Sequence, residues 1–114
     1  MSRYQLGEFE EVVLLTVAIL NGETPGNPLA YGVAISDEIE KRLKRKVSLG
    51  AMQTSLRRLE EKGFLKSEFG EATKVRGGKK KRYFTLTKVG KTALKEAKEQ
   101  RMGLWNAVPE FVLK

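Results

Sequence analysis

The spacing of apolar side chains along the chain predicts a mainly helical protein. Between residues 6 and 20 apolar side chains cover most of a helical circumference, which predicts a first helix buried on two sides. One side of this helix is expected to pack on the domain core, and the other is expected to contact either the same core or a second subunit. From Tyr31 onward Ile35, Ile39 and Leu43 recur every fourth residue, which predicts a second, amphipathic helix.

Capping and turn residues predict where the helices begin and end. The pair Asn21 and Gly22 predicts a left-handed stop for the first helix, and the prolines and glycine of residues 23–28 predict a loop. Ser48 has the hydroxyl of an N-cap, so a third helix is expected directly after it, with its left-handed end at Gly63. The first half of the chain is therefore predicted to form three consecutive helices.

The third helix is expected to turn a polar side outward. Met52, Leu56 and Leu59 follow helical spacing and are predicted to face the core. Because successive residues are about 100° apart around a helix, the outward positions are then Gly50, Gln53, Thr54, Arg57 and Arg58.

Two short runs predict a β-hairpin with a long, basic tip. Residues 65–69 and 83–87 are rich in aromatic and alternating side chains, and residues 70–82 between them are rich in glycine and lysine. Thr87 is then expected to cap a last helix, which Pro109 ends.

The order of these elements is that of a winged helix-turn-helix. This fold is mainly α with a small β-hairpin wing, and its third helix enters the major groove of DNA. Residues 1–87 are predicted to form the winged-helix DNA-binding domain. Residues 88–114 are predicted to form a C-terminal dimerisation helix and tail.

The composition favours a polyanionic partner. The 114 residues carry 22 lysines and arginines against 14 aspartates and glutamates, a net charge of +8, which suits nucleic acid or an acidic membrane surface. The chain has no cysteine, so no disulfide framework or thiolate metal site is expected. Its longest apolar run, residues 12–20, is about half of what spans a bilayer, and the glutamates before it do not suit a signal peptide. We therefore expect a cytoplasmic protein without a targeting segment.

Catalytic chemistry finds no support in the residue types. The chain has no histidine and no cysteine, and it has neither a phosphate-binding Gly-x-x-x-x-Gly-Lys loop nor residues at metal-ligand spacing. The adjacent carboxylates Asp37 and Glu38, or Glu60 and Glu61, point apart on a helix and are expected to be solvated. We predict that the protein is not an enzyme and binds neither a metal nor a cofactor.

The outward side of the third helix has side chains that read base pairs. Arginine forms two hydrogen bonds to guanine and glutamine forms two to adenine, so Arg57 and Gln53 are expected to give specificity, while Thr54 suits a thymine methyl group. The alternative is that the two arginines only pair, on a wet surface, with the glutamates that follow them. The predicted recognition set is Ser48, Gly50, Gln53, Thr54, Arg57 and Arg58.

The basic tip of the hairpin is expected to contact phosphates beside the recognition helix. Glycines leave this loop free to order against the DNA backbone, and neutralising phosphates makes binding fall steeply with salt. The alternative is an ordinary solvated turn. The predicted contacts are Lys74, Arg76, Lys79, Lys80, Lys81 and Arg82.

Three motifs together resemble the PadR family of bacterial transcriptional regulators. Tyr31-Gly32 followed by Ile35 is similar to the family's opening of its second helix. Residues 56–65, LRRLEEKGFL, are similar to the end of its recognition helix, and residues 77–90, GGKKKRYFTLTKVG, to its wing and return strand. The resemblance covers nearly the whole chain.

The recognition helix departs from the family's pattern. Residues 50–56 read GAMQTSL, where the family more often has Gly-Thr-Leu-Tyr-Pro-x-Leu, so Gln53 stands at a position where tyrosine is usual. A side chain that can read a base thus replaces one that reaches phosphate, and the operator sequence is expected to be particular to this chain.

The resemblance implies a homodimeric repressor held together by its terminal helices, with two recognition helices on a palindromic double-stranded operator. An apolar first helix and a last helix too long for a small core agree with a dimer. Some relatives bind small aromatic effectors at the interface, so Trp105 is expected either to line such a pocket or to anchor the interface. The predicted interface residues are Phe9, Val13, Leu94, Ala97, Leu104, Trp105 and Val108.

Two other functions are compatible with the same features. A winged-helix module can bind an acidic protein partner through its basic wing, since a fold does not determine a function. Attachment to an anionic membrane ranks last, because the basic wing lacks the apolar companion face that such anchoring requires.

Overall fold

The computed structural model describes residues 5–23, 25–70 and 80–114. It confirms the prediction of a mainly α winged helix-turn-helix, and its last long helix ends before Pro109, as predicted. A 3₁₀ turn at Glu110–Leu113, which the sequence did not predict, follows that helix. The helices and strands are α1 (Glu8–Gly22), α2 (Gly32–Leu43), α3 (Leu49–Glu61), β1 (Leu65–Phe69), β2 (Arg82–Leu86) and α4 (Lys88–Ala107).

The core lies where α1, α2 and α3 meet the hairpin. The three apolar side chains of α3 that were predicted to face inward, Met52, Leu56 and Leu59, are all buried there. Ile35 and Ile39 of α2 are buried with them. Removing a side chain of this size from water contributes about 1.5 to 3 kcal/mol, so the core fixes which side of each helix faces outward.

Local caps confirm the predicted helix ends around α3 and α4. The Ser48 hydroxyl accepts a hydrogen bond from the Ala51 N–H at 3.1 Å. The Thr87 hydroxyl likewise accepts from the Gly90 N–H at 3.0 Å. Gly63 follows α3 with φ of 82°, the left-handed conformation in which glycine has no steric penalty.

The left-handed stop predicted at Asn21 and Gly22 is wrong. α1 continues through Gly22, and Glu23 follows it with a right-handed helical φ of −69°. Among the described residues that are not glycine, only Lys44 at the end of α2 has a positive φ, at 55°. Asn21 keeps a helical backbone, and its side chain makes tertiary hydrogen bonds.

The Asn21 side-chain amide joins three segments of the fold. Its Oδ1 accepts hydrogen bonds from the N–H groups of Leu29 at 2.9 Å and Ala30 at 3.0 Å. Its Nδ2 donates to the Phe84 carbonyl at 2.8 Å, and the Phe84 N–H donates in turn to the Ala30 carbonyl at 2.8 Å. The end of α1, the loop before α2 and strand β2 are therefore held together by one partly buried polar group.

The hairpin is packed against the start of α2. β1 and β2 pair antiparallel with Leu65 opposite Leu86, and β2 begins at Arg82, one residue earlier than predicted. An isolated bridge joins Tyr31 to Tyr83, and their rings meet edge to face with centroids 5.8 Å apart. The base of the wing is thereby fixed next to α2 and α3.

Only the first part of α4 packs on the domain. Gly90 and Ala93 are buried, whereas every residue of 98–114 is exposed. An ion pair of 2.7 Å between Arg101 and Glu11 connects the middle of α4 to α1. The molecule is accordingly elongated, with extents of 57 × 29 × 27 Å. None of the helices in the described part of the chain has both the length and the apolar character to cross a membrane.

The start of α4 approaches the end of α3 very closely at Gly90. A Cβ atom at this position would lie 2.2 Å from the backbone carbonyl oxygen of Phe64. The Thr87 N–H donates to the same carbonyl at 3.1 Å. Because backbone cannot yield as a flexible side chain can, this contact requires a residue without a side chain.

Gly90→Ala is expected to lower the free energy of unfolding by about 1 to 3 kcal/mol, as overpacking does in a close contact. Gly103→Ala in the same helix is the matched control, because a Cβ there meets nothing within 4 Å. It should raise the free energy of unfolding by up to about 1 kcal/mol through helix propensity. Urea unfolding of both variants measures the difference, and equal effects would contradict the close contact.

Candidate nucleic-acid interface

The outward side of α3 is open to solvent. Gln53, Thr54, Arg57 and Arg58 are all exposed, as predicted from the helical spacing. Burial of the apolar side of α3 against the core leaves these four side chains with no alternative direction. The geometry expected for a recognition helix is therefore present.

A groove, which we call the α3–hairpin groove, runs between α3, the start of α2 and the base of the hairpin. Its apolar lining includes Tyr31, Leu56 and Phe84. Gln53 and Arg57 line it from α3, and the basic run 80–82 lines it from the hairpin. The structure thus brings part of the predicted recognition set and part of the predicted wing set to one surface. The wing residues Lys74, Arg76 and Lys79 lie outside the described residues.

Two of the hairpin cations are positioned by aromatic rings. The Lys81 Nζ lies 4.3 Å from the centroid of the Tyr31 ring, and the Arg82 guanidinium carbon lies 4.6 Å from that of Phe69. Arg82 is also 3.7 Å from a carboxylate oxygen of Glu60. Cation–π contacts of this kind contribute about 0.5 to 1 kcal/mol at exposed sites, so they orient the charges without neutralising them.

The alternative role predicted for the α3 arginines is present in a weak form. Arg57 lies 3.8 Å from Glu61, and its side chain remains 69% exposed. A pair this exposed contributes at most about 1 kcal/mol, so Arg57 can exchange it for another partner. Glu60 does not pair with these arginines but accepts a hydrogen bond from the Ser67 hydroxyl at 2.6 Å.

Three further members of the recognition set lie on the opposite flank of α3, and Ser48 caps the start of the helix. Gly50, Thr54 and Arg58 line a second groove, together with Gly7 and Phe9 at the start of α1. The predicted set is therefore divided between two flanks of one helix. Helical spacing alone did not distinguish these flanks, because it did not indicate which neighbour lies on each side.

The first turn of α1 holds three elements in place by ion pairs. The Arg45 guanidinium donates to both carboxylate oxygens of Glu8 at 2.9 Å. Arg45 comes from the loop between α2 and α3, Lys62 from the end of α3, and Arg101 from α4. The ion pairs are Glu8 with Arg45, Glu10 with Lys62 and Glu11 with Arg101. The sequence indicated only that this turn is acidic and did not predict these partners.

Neighbouring groups stabilise the negative charge of Glu10. Partial burial opposes its ionisation, and hydrogen bonds from Lys62 Nζ and the Gly7 N–H, with the positive charges of Lys62 and Arg58, outweigh that effect. The pKa of Glu10 is therefore lowered from its usual value. The end of α3 is thereby connected to the start of α1.

A third, mostly apolar groove lies between α1 and α4, and we call it the α1–α4 groove. Its apolar lining residues are Leu15, Leu94, Met102 and Trp105, and its charged lining residues are Glu11, Lys95, Lys98 and Arg101. Trp105, the single tryptophan of the chain, is 62% exposed. An apolar surface of this kind on a projecting helix is typical of a protein interface.

The predicted interface residues differ in their burial. Val13 requires a correction, because it is fully buried in the core of its own chain and has no surface for a second subunit. The large apolar residues that α1 exposes are instead Leu15 and Ile19, which lie on the opposite side from Val13. Phe9, Leu94 and Ala97 are partly buried, whereas Leu104, Trp105 and Val108 are exposed.

Sequence reasoning also missed an exposed apolar segment after α4. Phe111, Val112 and Leu113 form the 3₁₀ turn after α4, and all three are exposed. The signal was the apolar run Phe111-Val112-Leu113, two residues after Pro109, which the helical pattern of α4 does not include.

No metal-binding cluster is present in the part of the chain that the structure describes. Its acidic side chains form no group of three or more that could bind a metal ion. The carboxylates of Glu8, Glu10 and Glu11 each face a cation of another element.

Comparison with known proteins places the chain among transcriptional regulators. A family model described as the transcriptional regulator PadR-like family matches residues 26–96. The structure of a PadR-like transcription factor from Bacteroides fragilis is 26% identical, covers 86% of this chain and 84% of that chain, and has a TM-score of 0.69. That of a PadR family transcriptional regulator from Eggerthella lenta is 25% identical, covers 92% and 86%, and has a TM-score of 0.65.

A structure below 25% identity shows the same fold. A PadR family transcription regulator from Clostridium difficile is 23% identical, covers 91% of this chain and 98% of that chain, and has a TM-score of 0.67. No curated protein matches this chain.

Glu10→Gln is expected to make the free energy of unfolding less dependent on pH in acid. Because folding lowers the pKa of Glu10, its stabilising contribution is complete above the unfolded-state pKa of about 4.3 and is lost as the pH falls through the lower folded-state value. Urea unfolding at neutral pH and at several values from about pH 5 downward measures this. Lys62→Met removes the partner and should reduce the same dependence, so an unchanged dependence in both variants would contradict the assignment.

Proposed function

The chain belongs to the transcriptional regulator PadR-like family, and on that premise we propose that it is a homodimeric repressor that binds a palindromic operator in double-stranded DNA. In this proposal α3 enters the major groove and the hairpin follows the phosphate backbone. The observation that carries it is the α3–hairpin groove, where Gln53 and Arg57 lie beside three consecutive cations, residues 80–82.

The two flanks of α3 would meet the two walls of the major groove. Arg57 is suited to the O6 and N7 atoms of guanine, and Gln53 to the N6 and N7 atoms of adenine. On the opposite flank Thr54 is suited to a thymine methyl group and Arg58 to guanine or phosphate. Ser48 and Gly50, at the exposed start of α3, would allow the backbone to approach the DNA closely.

The wing would supply affinity rather than sequence preference. Lys80, Lys81 and Arg82 are exposed at the base of the hairpin. The ring contacts of Lys81 and Arg82 do not neutralise their charges, and Arg82 would exchange its 3.7 Å contact with Glu60 for phosphate. We assign the same role to Lys74, Arg76 and Lys79 on sequence grounds. Phosphate contacts of this kind act on all DNA sequences alike and weaken with salt.

The second subunit would cover the α1–α4 groove and the projecting half of α4. Residues 98–114 are exposed along their whole length and include Met102, Leu104 and Trp105 among their large apolar side chains. A twofold axis through this surface would bring the α4 helices together and direct two α3 helices to one side. Residues 1–87 would then serve DNA binding and residues 88–114 dimerisation.

Repression would follow from occupancy of a promoter by the dimer, which excludes other proteins from the same DNA. A small aromatic effector is proposed to act at the dimer surface through Trp105, whose exposed ring offers a stacking face. Quenching of its fluorescence by an aromatic compound that also releases DNA would support this role.

Arg57→Ala is expected to weaken operator binding by about 1 to 3 kcal/mol and random DNA much less, because it removes a base contact. Lys80→Ala should weaken binding to both by a similar amount, because it removes a phosphate contact. Lys91→Ala on α4 is the matched control, since it removes an exposed lysine outside the groove and should change neither. Gel-shift titration against operator and random DNA measures the Kd values.

Selection of bound fragments from a random DNA library tests the proposed function directly. It should recover a consensus with twofold symmetry, and the Kd should rise with salt as roughly its fifth to sixth power, if about half of the predicted wing cations contact phosphate in each subunit. Recovery of no consensus, or equal Kd values for selected and random DNA, would contradict the proposal.

Met102→Glu is expected to convert the dimer into a monomer, because it places a charge in the apolar α1–α4 groove. Val89→Glu at the start of α4 is the control, since Val89 is also partly exposed but does not line this groove. Light scattering should give twice the 12.8 kDa chain mass for the unaltered protein and the control. Trp105 emission should shift to longer wavelength only in Met102→Glu, and a monomeric unaltered protein would contradict the dimer.

A further inference from the structure

Two large apolar side chains are about half exposed on the surface assigned to DNA. Leu49, the first residue of α3, is 52% exposed, and Val33, the second residue of α2, is 49% exposed. Both line the α3–hairpin groove. Leu49 lies four residues before Gln53, which lies four before Arg57, so the three form one stripe along α3.

The surroundings of these side chains make their exposure informative. A single exposed leucine is ordinary on a protein surface. Here, however, the exposed neighbours in the groove are the polar Gln53 and Arg57 and the basic run 80–82. About half of each side chain is exposed, so this part of the surface of Leu49 and Val33 is available to whatever the cations attract.

Duplex DNA offers one apolar group at the base edges of its major groove. This is the 5-methyl group of thymine, which stands beside the acceptor atoms that arginine and glutamine bind. Burying one methyl group contributes about 0.8 kcal/mol, which is enough to distinguish thymine from cytosine at a given position. The groove therefore offers an apolar contact for a thymine methyl group, and beside it the polar side chains that can bind the edge of a neighbouring base.

We propose that Leu49 and Val33 form an apolar reader of thymine methyl groups beside the bases bound by Gln53 and Arg57. This inference rests on the proposed function, because it requires α3 in the major groove. It is separate from the thymine contact predicted for Thr54, which lies on the opposite flank of α3. The operator half-site would then contain thymine next to the guanine or adenine read by the stripe.

Replacement of thymine by deoxyuridine tests this reader one methyl group at a time. Deoxyuridine pairs with adenine as thymine does but lacks the 5-methyl group. Each thymine of the selected half-site is replaced in turn, and the Kd of the full-length protein is measured by gel shift. At a position read by Leu49 or Val33 the Kd should rise roughly threefold to fivefold, the effect of one buried methyl group.

Variants assign each methyl contact to its side chain. The Leu49→Ala variant should have the same Kd for operators with thymine and with deoxyuridine at one position, while the other positions still show the methyl effect. The Val33→Ala variant should lose the methyl effect at a different position. Leu43→Ala is the matched control, because Leu43 is also 52% exposed but lies at the end of α2 outside the groove. It should retain the unaltered pattern, and thermal unfolding shows that each variant is folded.

The outcomes separate this inference from the function on which it rests. A half-site without thymine, or one in which deoxyuridine leaves every Kd unchanged while binding stays specific, would overturn the methyl reader alone. A methyl effect that persists in both Leu49→Ala and Val33→Ala but disappears in Thr54→Ser would also overturn it. Absence of any specific DNA binding would contradict the proposed function instead.

Discussion

The rotational setting of α3 is the constraint on which the candidate interface depends. Met52, Leu56 and Leu59 are enclosed by the core, and this burial directs the stripe of Gln53 and Arg57 outward. The same packing brings the start of α2 and the base of the hairpin alongside that stripe. A single buried surface therefore determines both which side chains face outward and which charges lie beside them.

Two polar junctions maintain this arrangement from either end. The Asn21 amide ties α1 and the loop before α2 to strand β2, so the hairpin base cannot move independently of the helices. At the other end Thr87 donates from its hydroxyl to the carbonyl of Gly63 and caps α4, while Gly90 lets α4 approach the turn after α3. Neither Asn21 nor Thr87 lines the α3–hairpin groove, and the Asn21 junction reaches it only through the backbone of Phe84.

The sequence predicted most of the fold because the decisive signals are local. Ser48, Gly63 and Thr87 act within one helical turn of their positions, and their roles follow from short-range chemistry. The amide of Asn21 could not be assigned in this way, because its partners come from a loop and a strand distant in the sequence. Periodicity also wrongly predicted Val13 as a dimer-interface residue, because an apolar helix surface does not itself show which side packs against the core of the same chain.

The candidate site was predictable in composition but not in arrangement. Helical spacing identified the exposed residues of α3, yet only the tertiary structure separates Gln53 from Thr54 by placing a different neighbour on each flank. The exposed apolar residues Leu49 and Val33 were not singled out, because apolar side chains in an amphipathic pattern are first taken as core. Charge pattern identified the basic run, and the aromatic rings that orient Lys81 and Arg82 appear only in the folded chain.

The outer half of α4 is exposed along its whole length, and this separates two properties of the protein. If two chains associate there, the distance and angle between their two α3 helices depend on the length of α4. Each residue inserted into α4 would change them by about 1.5 Å and 100°. Such an insertion would alter the spacing of the half-sites while leaving the bases within each half-site unchanged. Spacing and base preference would thus be free to evolve independently.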